Sequence, residues 1–329
     1  MAWPSLHARF LAVSFISLAT FTIVHLPHPR PTRLEPAPFF RRPQISTGRI
    51  IYIVTTTSPG PLQLPEITRL AQTLMLVEDV HWLVAEDTDQ DNAILLHYLL
   101  STDLTFTYLK TPMPLAIREW KVQPKGVPGR RAALAWIRKN ARDGVVYFAD
   151  VDNTYDKRIF EEIRWTRGVS MFPVGLTTRS QVLTPVLREG SFHGWYDELI
   201  GDRRFPINMA AFAISVELLH KKPLANVAWT QAFQTESILA SLDVNPQDIE
   251  FRADGCTKIW VWHTESRQLP LADGDLLLEQ YDNTNLRLLQ RYLFKPPPPH
   301  TAKVPGSPVE TPDPLVNAIP DDNEYGLNF

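Results

Sequence analysis

A chain of 329 residues with 44% hydrophobic and 10% aromatic side chains can bury a large core, which excludes a disordered protein and suggests one large domain or two small ones. The formal charge of -3 offers no general attraction for nucleic acid or an anionic membrane surface, so any binding chemistry must be local. The single cysteine, Cys256, excludes an intrachain disulfide framework, a thiolate zinc cluster and a CxxC redox site.

In chain order, residues 10–26, FLAVSFISLATFTIVHL, carry no Lys, Arg, Asp or Glu and stop at Pro27. Such a run matches a short spanning helix, roughly 17–25 residues, exceeds the h-region of a cleaved signal peptide, and has no small-x-small cleavage pattern after it. It reads as an uncleaved transmembrane signal anchor behind a tail of residues 1–9. Arg9 alone precedes the run, whereas Arg30, Arg33, Arg41 and Arg42 follow it, so charge counting would leave the bulk of the chain in the cytosol. Residues 27–47, rich in Pro and Arg without apolar periodicity, read as an extended stem.

The pattern then alternates. Residues 49–55 (RIIYIVT) predict a buried strand, 66–77 a helix with Ile67, Leu70, Leu74 and Leu76 on one face, and 81–85 a second strand. A helix over 92–100, a strand over 104–109, a helix over 130–140 and a strand over 145–149 follow. This alternation with continuous apolar strands predicts an α/β fold, a mainly parallel sheet flanked by helices, occupying residues 48–271. Ligands bind beyond the carboxyl ends of such strands, which puts the loop at 55–58, Glu86-Asp87 and Asp150-Val151-Asp152 along one edge. Residues 272–329, including four consecutive prolines at 296–299, read as a Pro-rich and largely disordered C-terminal extension.

The Asp-x-Asp of Asp150 and Asp152 is a common pattern, also present at Asp87 and Asp89 and at Asp273 and Asp275, and an Asp here can simply cap a turn. Position gives it weight: carboxylates at the end of a central parallel strand can hold a hard divalent cation through oxygen. Residues 86–92, EDTDQDN, imitate the start of a calcium loop. Asn92 stands where Gly is needed and Tyr98 where a bidentate Glu is needed, so a helix cap and solvated loop is the reading for most of the run. No Walker phosphate loop, GxGxxG, HExxH or GxSxG occurs, which disfavours nucleoside triphosphate hydrolysis and serine hydrolase chemistry.

Four blocks carry a resemblance: HWLVAED (81–87), FADVDNTYDKRIFEEIRWTRGVSMFPVGL (148–176), FPINMAAFAI (205–214) and CTKIWVWHTE (256–265). In order and spacing the chain resembles the animal β-1,3-glucuronosyltransferases of glycosyltransferase family 43 over nearly all of residues 49–265. The resemblance implies a GT-A type fold, on a type II Golgi membrane protein that commonly forms a homodimer. It overrides the charge count, because the family keeps its catalytic domain lumenal. It further implies UDP-glucuronic acid as donor, Mn2+ as cofactor, and transfer with inversion to the 3-hydroxyl of a galactose-terminated glycan, as in the proteoglycan linkage region Gal-Gal-Xyl-protein.

By the same resemblance, Thr56 and Thr57 fall in the family's uridine loop V-T-P-T-Y, here Val54 to Ser58 with Pro and Tyr replaced. Asp87 matches a uracil-binding Asp, and Lys125 and Arg130 fall in a basic nucleotide-binding segment, Lys125 replacing an Arg. The family's D-D-D becomes Asp150-Val151-Asp152: Asp152 matches the metal ligand, and the middle Asp, which meets the ribose, is lost. Glu236 matches the catalytic base and His263 a diphosphate contact; without the family they read as a solvated helix residue and a core histidine. Trp195 and Arg203 are candidates for the acceptor and donor-sugar sites, and Asn208 replaces an acceptor-contacting Asp. Glu265 stands where the family has an Arg facing the diphosphate, with Arg267 nearby, and Leu183 stands where an acidic residue is expected. These departures support a second expectation, a divergent member with weak or no transferase activity that binds UDP or glycan and acts through partners.

Overall fold

Four parallel strands organise the fold: β1 (Ile51–Thr57), β2 (Val80–Glu86), β3 (Thr105–Lys110) and β4 (Val145–Phe148). In the computed structural model they run in the order β3-β2-β1-β4, with Ile51 opposite both Val80 and Val145. β1 and β4 are buried along nearly their whole length, as continuous apolar strands covered on both faces should be. The structure describes residues 48–177, 181–196, 203–230 and 233–267. The expected tail, anchor, stem and C-terminal extension lie outside them; among the described residues no helix is long and apolar enough to cross a membrane.

Helix α1 (Gln63–Leu74) follows β1, burying Ile67, Leu70, Ala71 and Leu74 at helical spacing. It starts three residues before the predicted start at 66, because Pro65 in the first turn forfeits no intrahelical bond. Leu76, expected on that stripe, lies beyond the helix and is exposed. Helix α2 (Ala93–Leu100) is capped by Asn92, whose Oδ1 accepts the Leu95 N–H at 3.1 Å. After the short α3 (Leu115–Arg118), helix α4 (Val127–Asn140) packs across β1, β2 and β3. Gly126 precedes α4 at φ +75°, where a Cβ would come within 2.7 Å of Thr56 Oγ1.

The sheet is less parallel than the sequence suggests. Beyond β4, β5 (Asn153–Tyr155) and α5 (Arg158–Ile163) lead to β6 (Val169–Met171), β7 (Val174–Gly175), β8 (Val182–Arg188), β9 (Ser191–Tyr196) and β10 (Phe212–Ser215). β10 runs antiparallel between β4 and β6. Then come α6 (Val216–Lys221), α7 (Gln234–Ser241), β11 (Glu250–Phe251) and β12 (Val261–His263), giving a seven-stranded mixed sheet, β11-β6-β10-β4-β1-β2-β3. A second sheet, β5-β12-β7-β8-β9, is mostly antiparallel and has no counterpart in the sequence reading. A left-handed turn leads toward β12, with Ala253, Asp254, Gly255 and Cys256 at φ between 54° and 62°. The buried Ala253 N–H is held there by Glu162 Oε2 at 2.6 Å.

Aromatic rings fill the core where β4 meets β5 and α5. Tyr147 meets Tyr155 and Phe160 edge-on, and its hydroxyl donates to Ala210 O at 3.0 Å. The fully buried Arg164 donates to Arg49 O and Glu78 O at 2.9 and 2.7 Å, closing the end of the sheet opposite the ligand edge.

Candidate active site

The carboxyl ends of β1, β2 and β4 open on one cleft of about 870 Å³, and the first turn of α4 forms its side wall. Thr56 and Thr57 are the last residues of β1 rather than a loop, and both line the cleft. Thr55, placed in the same loop by the sequence reading, is instead fully buried, donating Oγ1 to Ala149 O and accepting from Trp82 Nε1, both at 2.9 Å. That ties the tip of β1 to its neighbours on either side. Asp87 follows β2: its N–H donates to Thr57 O at 2.9 Å, and its Oδ1 accepts the Met113 N–H at 2.8 Å. Oδ2 has no partner among the described residues and remains available to an N–H donor.

Gly129 lets α4 come this close, because a Cβ there would lie 2.8 Å from both Ala85 Cβ and Thr56 Cγ2. One turn of helix therefore sets Lys125, Gly126 and Arg130 around the cleft. The guanidinium of Arg130 is largely buried and forked. Nη2 meets Asp150 Oδ1 at 2.7 Å, while Nη1 donates to Gln234 Oε1 at 2.8 Å and to Lys125 O at 3.3 Å. Both members of the Arg130–Asp150 pair line the cleft, yet they bind each other.

Asp152 meets His263 across 111 residues of chain because β5 and β12 are antiparallel partners with His263 opposite Asn153. His263 Nδ1 lies 3.0 Å from Asn153 Oδ1 and 3.8 Å from Asp152 Oδ2, and Thr264 N–H donates to Asp152 O at 3.0 Å. Burial, reinforced by the negative charge of Asp150, pushes the Asp152 carboxyl above the usual range, with His263 and Arg69 opposing. Glu66, on α1 where that helix packs against β5, is likewise raised, first by burial and also by Asp152, against a hydrogen bond from Ser266. Asp152 and Glu66 are thus two desolvated carboxyls close enough to repel each other, a strain that a cation would relieve. Among the described residues no group of three or more His, Cys, Asp and Glu is arranged as a protein-only metal cage.

Arg203 and Asn208 also line the cleft, and Asn208 Oδ1 is buried without a hydrogen-bond partner among the described residues. Two expected residues do not line it. Glu236 lies in the first turn of α7, just past cleft-lining Gln234 and Thr235, and its Oε2 accepts the Phe205 N–H at 2.8 Å. Trp195 packs edge-on against Phe192 and Phe205, with centroids 4.9 and 6.1 Å apart. Phe205 therefore bridges the two, because its backbone holds Glu236 and its ring holds Trp195. Leu183 is a core residue opposite Val174, so its strand position offers no side chain to a ligand. Glu265 lines the cleft, whereas Arg267 is exposed and does not.

The sequence reading missed Gln63, Glu66, Asn153, Thr177 and Gln234, all in the cleft wall. No local pattern marks them, since each reaches the cleft by the packing of its element. Glu86, set on the ligand edge by the sequence reading and within a run read mostly as solvated loop, ends β2 with its side chain fully buried.

These features define a mixed α/β protein with a ligand cleft at the carboxyl edge of a parallel half-sheet, lined by acidic groups and a helix N-terminus. The family model described as Glycosyltransferase family 43 matches residues 70–267, and the chain belongs to that family. It is 42% identical over 244 residues to "Galactosylgalactosylxylosylprotein 3-beta-glucuronosyltransferase S" of Drosophila melanogaster, covering 73% of this chain and 59% of the relative. Against form "P" of the same organism it is 39% identical, covering 75% and 52%. Against "Galactosylgalactosylxylosylprotein 3-beta-glucuronosyltransferase 3" of Homo sapiens it is 38% identical, covering 75% and 79%. The chain spans little more than half the length of the two Drosophila relatives.

Proposed function

We propose that the chain is an inverting glycosyltransferase that moves glucuronic acid from UDP-glucuronic acid to the 3-hydroxyl of a terminal galactose, in the linkage region Gal-Gal-Xyl-protein. The observation that carries this reading is the convergence of Asp87, Lys125, Asp152 and His263 on one cleft of about 870 Å³, a size suited to a sugar nucleotide. Family membership and the printed names of the relatives supply the transferred sugar and the acceptor class.

Asp87 presents its unengaged oxygen to a base N–H, and Lys125 supplies a point charge for phosphate. Asp152 fits a hard cation such as Mn2+, because its carboxyl is desolvated beside the charge of Asp150 and such ions are commonly held by one or two carboxylates plus substrate phosphates. Bound there, the ion would stabilise the charge developing on departing UDP. His263, its ring held by Asn153, closes the same wall.

Glu236 takes the proton from the acceptor hydroxyl. The Phe205 N–H fixes one carboxylate oxygen and leaves the other for the incoming group. The acceptor would approach past the 203–209 segment, which carries Arg203, Asn208 and Phe205. GT-A architecture, a lumenal catalytic domain on a type II Golgi membrane protein, and a homodimeric state complete the proposal; the resemblance supports all three, and the apolar run at 10–26 supports the membrane anchor.

The test is donor turnover by the purified protein with Mn2+ over a panel of galactose-terminated acceptors. Transfer to a Gal-Gal-Xyl acceptor is expected. UDP binding with no transfer to any acceptor would replace this reading with that of a binding protein, which the relatives do not favour.

A further inference from the structure

Glu86 ends β2 fully buried and, among the described residues, without a cationic partner. Its Oε1 accepts from Gln63 Nε2 and Asn92 Nδ2, each at 2.7 Å, and its Oε2 accepts the Tyr108 hydroxyl. The donors come from three elements: the first residue of α1, the cap of α2, and β3. Burial and the bond to Glu86 push the Tyr108 hydroxyl well above its ordinary value, so it stays a donor. Gln63 Nε2 also reaches Thr57 Oγ1 at 3.3 Å, and the Glu86 carbonyl accepts the Thr111 N–H at 2.8 Å. Thr57, Gln63, Asp87 and Thr111 all line the end of the cleft beyond β1 and β2.

A desolvated carboxylate is costly unless its oxygens are met, and here three neutral donors meet them. The cost of breaking the set, rather than the strength of any one bond, gives it a fixed geometry. We propose that Glu86 is a positioning residue for the base end of the nucleotide: it locks Thr57, Gln63 and the Asp87 backbone into one arrangement and touches no ligand itself. The inference rests on the reading of the cleft as a UDP site. It separates the site into two parts, a base end held by the Glu86 network and a phosphate end built from α4, Asp152 and His263.

That separation is measurable by calorimetry on the full chain, with uridine, UDP and Mn2+-pyrophosphate as probes. Glu86→Gln places an amide N–H against a donor. It is expected to weaken uridine and UDP by a common factor of about tenfold, leaving pyrophosphate unchanged. Tyr108→Phe, which removes one donor and keeps the ring, is the second variant should Glu86→Gln fail to fold. It is expected to weaken both uridine and UDP about threefold. Unchanged uridine affinity in a folded variant overturns the proposal, as does an equal loss of uridine and pyrophosphate. A wild-type chain that binds pyrophosphate but neither uridine nor UDP removes the nucleotide reading and this inference with it.

Discussion

Arg130 and Asp150 form a 2.7 Å ion pair in the cleft wall, and the same guanidinium donates to Gln234 at the start of the helix that carries Glu236. The donor side and the proposed base are thus joined through one side chain. A lysine cannot serve both partners, since it lacks the planar fork. Arg130→Lys is expected to cost about 2 kcal/mol in chemical denaturation and to lower kcat more than it weakens UDP binding. Loss of UDP affinity with kcat unchanged would instead make Arg130 a direct ligand contact.

Asp152→Asn keeps the shape of the wall and removes its charge. Mn2+-dependent UDP affinity is expected to fall at least about tenfold, while UDP binding in chelator changes little. Titration calorimetry with and without Mn2+ checks both halves. Equal affinities in wild type and variant would remove Asp152 from the metal site.

Glu236→Gln retains an oxygen for the Phe205 N–H, so the fold should hold. Transfer is expected to drop by roughly 10²–10⁴, with donor affinity within about twofold of wild type. A variant that transfers at the normal rate would mean that the base lies elsewhere.

Gly129→Val is predicted to push α4 off the strand ends, because even its Cβ would lie 2.8 Å from Ala85 Cβ and Thr56 Cγ2. The expected cost is about 1–3 kcal/mol in urea unfolding, accompanied by weaker UDP binding. Wild-type values for both would show that the helix can shift freely.

His81 packs 4.8 Å from the Trp136 ring and 5.8 Å from Tyr52, with Nε2 2.9 Å from Thr107 Oγ1, and burial holds its pKa below 6.5. Since the folded value is the lower one, protonation favours the unfolded chain. The stability contribution is complete above the unfolded value of 6.5 and is lost as pH falls through the folded one. Urea midpoints should therefore decline between about pH 7 and pH 5, and His81→Gln should flatten that decline. Identical slopes for the two proteins would rule His81 out as the source.

Much of the parallel half-sheet and its ligand edge was legible in the sequence. Apolar runs such as IYIVTTT, the helical stripe of Ile67, Leu70 and Leu74, and the Asn92 cap are local signals, set by backbone geometry within a few residues. They place Thr57, Asp87 and Asp150 on one edge before any contact is known. The approach of His263 to Asp152, the tie from Arg130 to Gln234, the burial of Glu86 and the setting of Glu236 and Trp195 around Phe205 were decided by the tertiary structure. Each depends on which distant strands pair and in what register. A two-residue strand such as β7 or β11 carries too little periodicity to announce its partner, so the second sheet and everything it positions emerge only when the chain packs.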